Sequence, residues 1–322
     1  MEPLIFEPIF MERIWGGRRL ESVYGKKLPP GRRIGESWEI VDREEAQSVV
    51  SQGPWRGKTL HELWVEHRAE IFGSDLPESA RFPLLLKLLD ASEKLSLQVH
   101  PPEEIAQSLG GEAKAELWYF AACEEGAGIF AGFRSAVEPA DFVRAVRHGS
   151  VADLVHHIRV TTGDSFFVPS GRLHGIGPGN LIVEIQQNSD TTYRVFDWDR
   201  TDENGNRRAL HLEESIRSIQ FNDLEPQCSP ATGERLIDCS SFVVEKWDLT
   251  TERPALDRDA FAIFFCPAGT VEADGMRLKA GDSWLMPAGA TKVVVRPLEP
   301  GTRLLRVILP PSLGHQKGSP LG

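Results

Sequence analysis

Along this chain the apolar positions keep two different periods. Short apolar runs recur at residues 48–50, 95–99, 117–121, 165–168, 181–186, 242–247, 262–266, 283–286 and 292–295. Each run is about strand length, and the 29 Gly and 22 Pro spread through the chain suit many short strands joined by turns. Helical spacing appears in three places. Residues 60–72 read as an amphipathic helix through Leu60, Leu63, Trp64, Ile71 and Phe72. Residues 139–157 do the same through Phe142, Val143, Val146, Val151, Leu154 and Val155, and residues 212–219 form a third such stretch. The pattern predicts a mostly β protein with a small helical subdomain packed on it.

An internal repeat refines that picture. Gly163-Asp164-Ser165-Phe166-Phe167-Val168-Pro169-Ser170-Gly171-Arg172-Leu173-His174 reads G-x5-P-x-G-x2-H. Gly281-Asp282-Ser283-Trp284-Leu285-Met286-Pro287-Ala288-Gly289-Ala290-Thr291-Lys292 reads G-x5-P-x-G-x2-K. In both, a Gly-Asp turn starts a strand that a Pro and a Gly-permitted turn then close. This is the pattern of the second sequence motif of the cupin barrel, so two cupin-type, jelly-roll-like β-barrels are expected. The first copy ends in His174, a potential metal ligand, and the second in Lys292, a poor one while protonated. The expected division is a metal-binding catalytic domain with a helical insertion over residues 1–225 and a metal-free barrel over 226–310. A disordered tail rich in Pro, Gly and Ser is expected over 311–322.

Composition narrows the partners. The 322-residue chain has a formal net charge of −11, which disfavours nucleic acid or an anionic membrane as the main partner. A small anionic substrate remains compatible with a few local cations. Cys123, Cys228, Cys239 and Cys266 form no CxxC pair, so they read as buried thiols in a reducing compartment rather than a disulfide framework. No secretory signal or membrane-spanning run is visible, and a cytoplasmic location is expected. No Gly-rich phosphate loop points to a nucleotide.

The candidate chemistry lies in the first repeat's half of the chain. Gln98 and His100 are two apart in a predicted strand and share a face, as do Lys114 and Glu116. With His174 they offer two imidazoles and a carboxylate, a common zinc set that leaves room for water or substrate, and Gln98 could add a neutral ligand. Glu184 is a carboxylate in an apolar strand and needs a partner there. Adjacent His156 and His157, on the predicted second helix, point in different directions and are given no metal role.

Several segments together resemble the type I mannose-6-phosphate isomerases: Arg13-Ile14-Trp15-Gly16-Gly17, Gly35-Glu36-Ser37-Trp38-Glu39, Leu97-Gln98-Val99-His100-Pro101, Lys114-Ala115-Glu116, the turn ending at His174, and Gln187-Asn188-Ser189-Asp190-Thr191-Thr192-Tyr193-Arg194. They span residues 13 to about 200 in the family's order, and the short length resembles its compact bacterial branch. The resemblance implies one Zn2+ per chain, bound by Gln98, His100, Glu116 and His174. It implies that Arg194 sits beside the reacting carbons, that Lys114, Glu184 and Asp190 line the same pocket, and that Trp15 forms its wall. The chain departs from larger relatives in having Ile176 where they have Tyr, and in lacking their helical insertion.

The reaction so implied interconverts mannose 6-phosphate and fructose 6-phosphate through a cis-enediol. Arg194, Lys114 and Glu184 are the expected catalytic residues, with the base open between Glu184, Lys114, a metal-bound water and a His. Trp15, Ser96 and Asp190 are expected to contact substrate, and Ser96, Lys87 and Arg134 are considered for the phosphate. A monomer or small homo-oligomer acting on a small sugar phosphate is expected. Two other readings are a non-catalytic sugar-phosphate-binding cupin and an iron-dependent cupin oxidoreductase.

Overall fold

The computed structural model describes residues 2–74, 76–201, 205–229 and 233–310, so the tail expected over 311–322 lies outside the described residues. The chain is mostly β, with antiparallel strand pairing throughout its sheets and a few short helices, in a cupin-like arrangement. No helix among the described residues is long and apolar enough to cross a membrane.

Two compact units emerge. One comprises residues 8–41 and 84–232. Its larger sheet orders the strands Ile9–Gly17, Ile34–Ile40, Leu84–Ala91, Asn180–Gln187, Glu116–Cys123 and Ser165–Val168. Its second sheet orders Tyr193–Phe196, Leu97–Val99, His174–Ile176, Gly128–Phe133 and Val155–Arg159. One apolar core of this unit includes Trp118, Phe120, Ile129, Phe166 and Ile182. Another gathers Phe133, Phe142, Val155 and Leu173 under the helix Pro139–Arg147. The Leu84–Ala91 strand is buried at every position and paired on both edges. Its run Leu84-Leu85-Leu86-Lys87-Leu88-Leu89 lacks the alternation that marks a half-exposed strand, which is why periodicity passes over it.

Among the described residues the other unit comprises 2–7, 42–74, 76–83 and 233–310. It pairs Arg235–Asp238, Val243–Asp248, Arg303–Ile308, Ala262–Ala268 and Ser283–Met286 in one sheet, with a four-stranded sheet beside it. The units are therefore not the consecutive stretches 1–225 and 226–310. The helical stretch expected in the first domain belongs to the other unit. There it forms two helices, Leu60–Glu66 and Arg68–Ile71, the first closed by a capping box between Thr59 and Glu62. The reason is aromatic: Trp64, Phe72, Phe82 and Phe261 pack ring to ring at 4.9–5.5 Å, and Ala288 N–H donates to the Ile71 carbonyl at 2.8 Å.

The repeat is structural as well as sequential. Gly163 and Gly281 both hold positive φ, at 97° and 91°. In each copy the Asp carboxylate accepts from a backbone N–H three residues back, Thr161 and Lys279, at 2.8 Å. Each Asp carbonyl accepts at 3.0 Å from the strand alongside, from Phe120 and Cys266 respectively, and each Gly returns a 2.8 Å bond to that same residue. Two copies of one turn thus dock onto two equivalent strands.

The second predicted helix is cut short. It ends at Arg147, and Val155–Arg159 is a strand carrying His156 and His157. Its pairing with Gly128–Phe133, register Phe130 to His157, overrides the helical spacing. Residues 48–50 make isolated bridges, not a strand.

Because Gly281 sits at φ 91°, where a side chain is strained, Gly281→Ala should cost about 1–2 kcal/mol of stability. A urea titration against the unsubstituted chain checks this; no shift in midpoint would show the turn to be relaxed.

Candidate active site

The site is assembled by cross-strand register. In the larger sheet Trp38 lies opposite Lys87, Lys87 opposite Glu184, and Glu184 opposite Trp118. Directly opposed residues point to the same face, so indole, ammonium, carboxylate and indole stand in one row. In the second sheet Arg194 lies opposite Gln98, and Gln98 opposite His174. His100 follows the Leu97–Val99 strand, and Glu116 begins the Glu116–Cys123 strand.

These elements bring His100, Glu116 and His174 together, all fully buried, with potential ligand atoms within 4.8 Å of one another. His100 Nε2 is 3.5 Å from Glu116 Oε2, and His174 Nε2 is 3.6 Å from Glu116 Oε1. Both imidazoles are oriented from behind. Nδ1 of His100 donates to the Thr191 carbonyl and Nδ1 of His174 to the Arg172 carbonyl, each at 2.8 Å. An acceptor there puts the proton on Nδ1 and turns the Nε2 lone pair to the centre. Gln98 completes the group, its amide 3.3 Å from His174 Nε2. A half-turn of that amide exchanges its nitrogen for its oxygen.

Whether this group fits a metal is answered by its orphaned atoms. His100 Nε2 and both Glu116 oxygens are buried and make no hydrogen bond. Lys114 Nζ reaches Glu116 Oε2 at 2.8 Å, an ion pair that lacks hydrogen-bond alignment. Leaving such atoms dry and unpaired is costly, and a cation between them satisfies all three. Burial, then the Lys114 charge, keeps His100 below its ordinary value; burial and His100 together push His174 down to about 3. Both imidazoles are thus neutral, as ligands must be. Burial alone would raise Glu116, but Lys114 and then His100 outweigh it and hold the carboxylate well below its usual range.

Beside this cluster opens a cavity of about 410 Å³. Trp15, Ser96, Gln98, Lys114, Glu184, Asp190 and Arg194, all singled out from the sequence, line it. Burial first, and then the Glu116 charge, push Glu184 up to about 7, while Trp118 Nε1 donates to it at 3.0 Å. Lys114 lies 3.9 Å from Glu184; burial opposes its charge, but Glu116 and Glu184 prevail and raise it above its ordinary value. Arg194 is lowered by burial and by Arg208. Arg134, by contrast, donates to the Asp153 carbonyl and is not among the cavity's residues. Lys87 does line it, amid Glu36, Glu184 and Asp190. Sequence reasoning gave no role to Arg13, Glu36 or Arg208. The first two fall in segments that carry the family resemblance, which could have flagged them; Arg208 lies in a polar stretch with no motif.

A cupin-like fold whose buried imidazoles and carboxylate lie behind Gln98 and Lys114 of a charged cavity defines a class of enzyme, and comparison with known proteins narrows it. Residues 4–127 match the model of the type I phosphomannose isomerase catalytic domain. Mannose-6-phosphate isomerase ManA of Bacillus subtilis is 38% identical over 305 residues, covering 89% of this chain and 94% of the relative. The mannose-6-phosphate isomerase of Streptococcus mutans is 37% identical over 297 residues, covering 89% and 92%. The crystal structure of the Bacillus subtilis mannose-6-phosphate isomerase superimposes with a TM-score of 0.85 at 33% identity, covering 96% of this chain and all of that one. The chain belongs to the type I mannose-6-phosphate isomerase family.

Elemental analysis of purified variants tests the metal group. His100→Ala and His174→Ala should each lose most bound metal, whereas Arg194→Ala should retain it. Retention of full metal content by both His variants would remove them as ligands.

Proposed function

We propose that this protein is a zinc-dependent aldose–ketose isomerase that interconverts mannose 6-phosphate and fructose 6-phosphate through a cis-enediol. The observation that carries the reading is the orphaned His100–Glu116–His174 cluster beside a cavity holding both Glu184, near pKa 7, and the Lys114 ammonium, in a chain of this family. His100, His174, Glu116 and the Gln98 amide oxygen would hold the ion; a donor set of two imidazoles, a carboxylate and a neutral oxygen suits zinc. Bound there, zinc supplies Lewis-acid polarisation of the sugar's carbonyl oxygen.

The chain's own groups do the rest. Glu184 acts as the base: it removes the C2 proton as the C2–H electron pair becomes the C1–C2 double bond and the carbonyl pair moves onto O1, which takes up the proton that O2 gives up. The same proton returns from Glu184 to C1 as O2 loses its own and becomes the ketone oxygen. Burial keeps Glu184 basic enough to take that proton near neutrality. Trp118 orients the carboxylate through one oxygen and leaves the other toward Lys114 and Lys87. Lys114 stays protonated and places a positive charge beside the oxygens that become anionic. Arg194, on the opposite sheet face, adds an always-charged guanidinium whose Nε is buried without a partner. Trp15 forms part of the cavity wall, while the Ser96 hydroxyl, 3.2 Å from the end of the Gln98 amide turned away from His174, would accept from the amide nitrogen once the half-turn brings the oxygen to the ion.

Turnover of mannose 6-phosphate by the purified protein should disappear on chelation and return with zinc. Folded, zinc-loaded protein inactive on this substrate would overturn the reading. Glu184→Gln should lower kcat by about 10²–10⁴-fold with metal retained. The acid limb follows from the shift. Glu184 works deprotonated, so kcat/KM falls as pH drops through its pKa. Part of its elevation comes from the Glu116 charge, which a bound cation offsets, so the half-point should lie between the ordinary 4.5 and about 7. A pH–rate profile with no acid limb in that window would remove Glu184 as the base.

A further inference from the structure

Arg194 stands at the rim of its sheet. Tyr193–Phe196 is the terminal strand of that sheet, so only its Leu97–Val99 side has a strand alongside. The pairing on that side is itself irregular. Arg194 lies opposite Gln98 and Phe196 opposite Leu97, which leaves Val195 as the extra residue of a bulge. A bulge disrupts the ladder locally, and an edge strand presents N–H and C=O groups that no ladder satisfies.

One residue takes both bare groups of Arg194. The Arg194 N–H donates to His211 Nδ1 at 3.1 Å, and the Arg194 carbonyl accepts from the His211 N–H at 2.8 Å. His211 thus replaces the missing strand with one ring atom and one backbone atom. A backbone N–H can only donate, so the Nδ1 lone pair faces it and the ring proton sits on Nε2. Two residues earlier, the Ala209 carbonyl accepts from Arg194 Nη1 at 2.9 Å. The stretch 209–211 therefore grips Arg194 at both ends, backbone and guanidinium tip. Between the two holds, Nε is buried without a hydrogen-bond partner, and the side chain lines the cavity.

His211 is itself anchored. Its carbonyl accepts from the Ser215 N–H at 2.9 Å and from Ser215 Oγ at 2.6 Å, at the start of the helix Leu212–Ser218. Leu212 and Ile216 of that helix pack on the core that holds Tyr193 and Val195. The imidazole ring lies 6.1 Å from the Tyr193 ring, whose hydroxyl donates to the Leu109 carbonyl at 3.0 Å. An apolar side chain at 211 could fill the same space, but it would accept nothing from Arg194.

We propose that His211 is a positioning residue for the isomerisation: it holds the Arg194 backbone in register with Gln98, so that the guanidinium meets the charge developing on the sugar oxygens. This rests on the aldose–ketose reading above and adds what keeps Arg194 in place. His211 is not among the residues lining the cavity, so it acts through Arg194 and not on the substrate. A displacement of about 1 Å at such a group can cost roughly 10²-fold in rate.

The test compares the zinc-loaded native chain with His211→Ala, which removes the acceptor, and His211→Asn, whose amide oxygen can accept from the same N–H. His211→Ala should lower kcat about tenfold or more and change KM by less than about threefold, because the Arg194 charge acts in the transition state. His211→Asn should recover most of that loss, and both variants should keep their metal. In an Arg194→Ala background, His211→Ala should cost no more than about twofold further, since its effect passes through the missing guanidinium. Hydrogen exchange of the Arg194 amide needs no turnover: His211→Ala should speed it about tenfold or more, and His211→Asn less. A kcat within about twofold of native in folded His211→Ala, or its full loss repeated in the Arg194→Ala background, would overturn the assignment. If the native chain does not isomerise mannose 6-phosphate while Arg194 exchange still quickens in His211→Ala, the activity reading falls and the anchoring of Arg194 by His211 stands.

Discussion

The register among Ile34–Ile40, Leu84–Ala91, Asn180–Gln187 and Glu116–Cys123 is the constraint on which the site depends, because it decides which side chains of four buried strands share a face. A slip of one residue anywhere in this set would turn Lys87 or Glu184 to the other face and put a leucine or isoleucine in its place. Such a slip would also bury a charge with no partner, which costs more than the lost pairing. The register and the charges therefore enforce one another: the apolar strands hold the ionic row in line, and the row tolerates only one alignment of the strands.

That row is unusual for the interior of a protein, and it is what makes the cavity chemically useful. Lys87, Lys114, Glu116 and Glu184 are each 5% exposed or less. Away from water their charges act on one another with little screening, so the two carboxylates part company. Glu116, next to Lys114 and two imidazoles, is held ionised; Glu184, farther from a full counter-charge and repelled by Glu116, is pushed toward neutrality. Two glutamates with the same intrinsic chemistry are thereby suited to different tasks, one to holding a cation and the other to taking up and returning a proton.

The two units show how one local motif serves different ends. The same Gly-Asp turn, with matching hydrogen bonds, docks at Phe120 in one and at Cys266 in the other. In the first copy the residue closing the motif is His174, buried and aimed at Glu116; in the second it is Lys292, exposed. Among the described residues the potential metal-ligand group lies in the unit that carries His174.

Much of this was legible in the sequence. The turn motif, the His174 that ends it, and the two-residue spacing of Gln98 and His100 are local properties, set by glycine's freedom at positive φ and by the alternation of a strand, and they survive unchanged in the structure. Other features were not local. Leu84–Ala91 has no alternation because both its faces are covered, so nothing in its own residues announces a strand. His156 and His157 carry helical spacing yet pair as a strand with Gly128–Phe133. The segment around Trp64, Phe72 and Phe82 joins the unit that carries Phe261 through aromatic packing that no neighbouring residue encodes. Arg208 enters the cavity only because Asp197, eleven residues away, holds it there. The sequence by itself determined which turns and ligand-bearing strands could exist, since those follow from each residue's own conformational limits. Only the tertiary structure decided which charges meet, because burial and long-range pairing are properties of the packed chain and not of any segment within it.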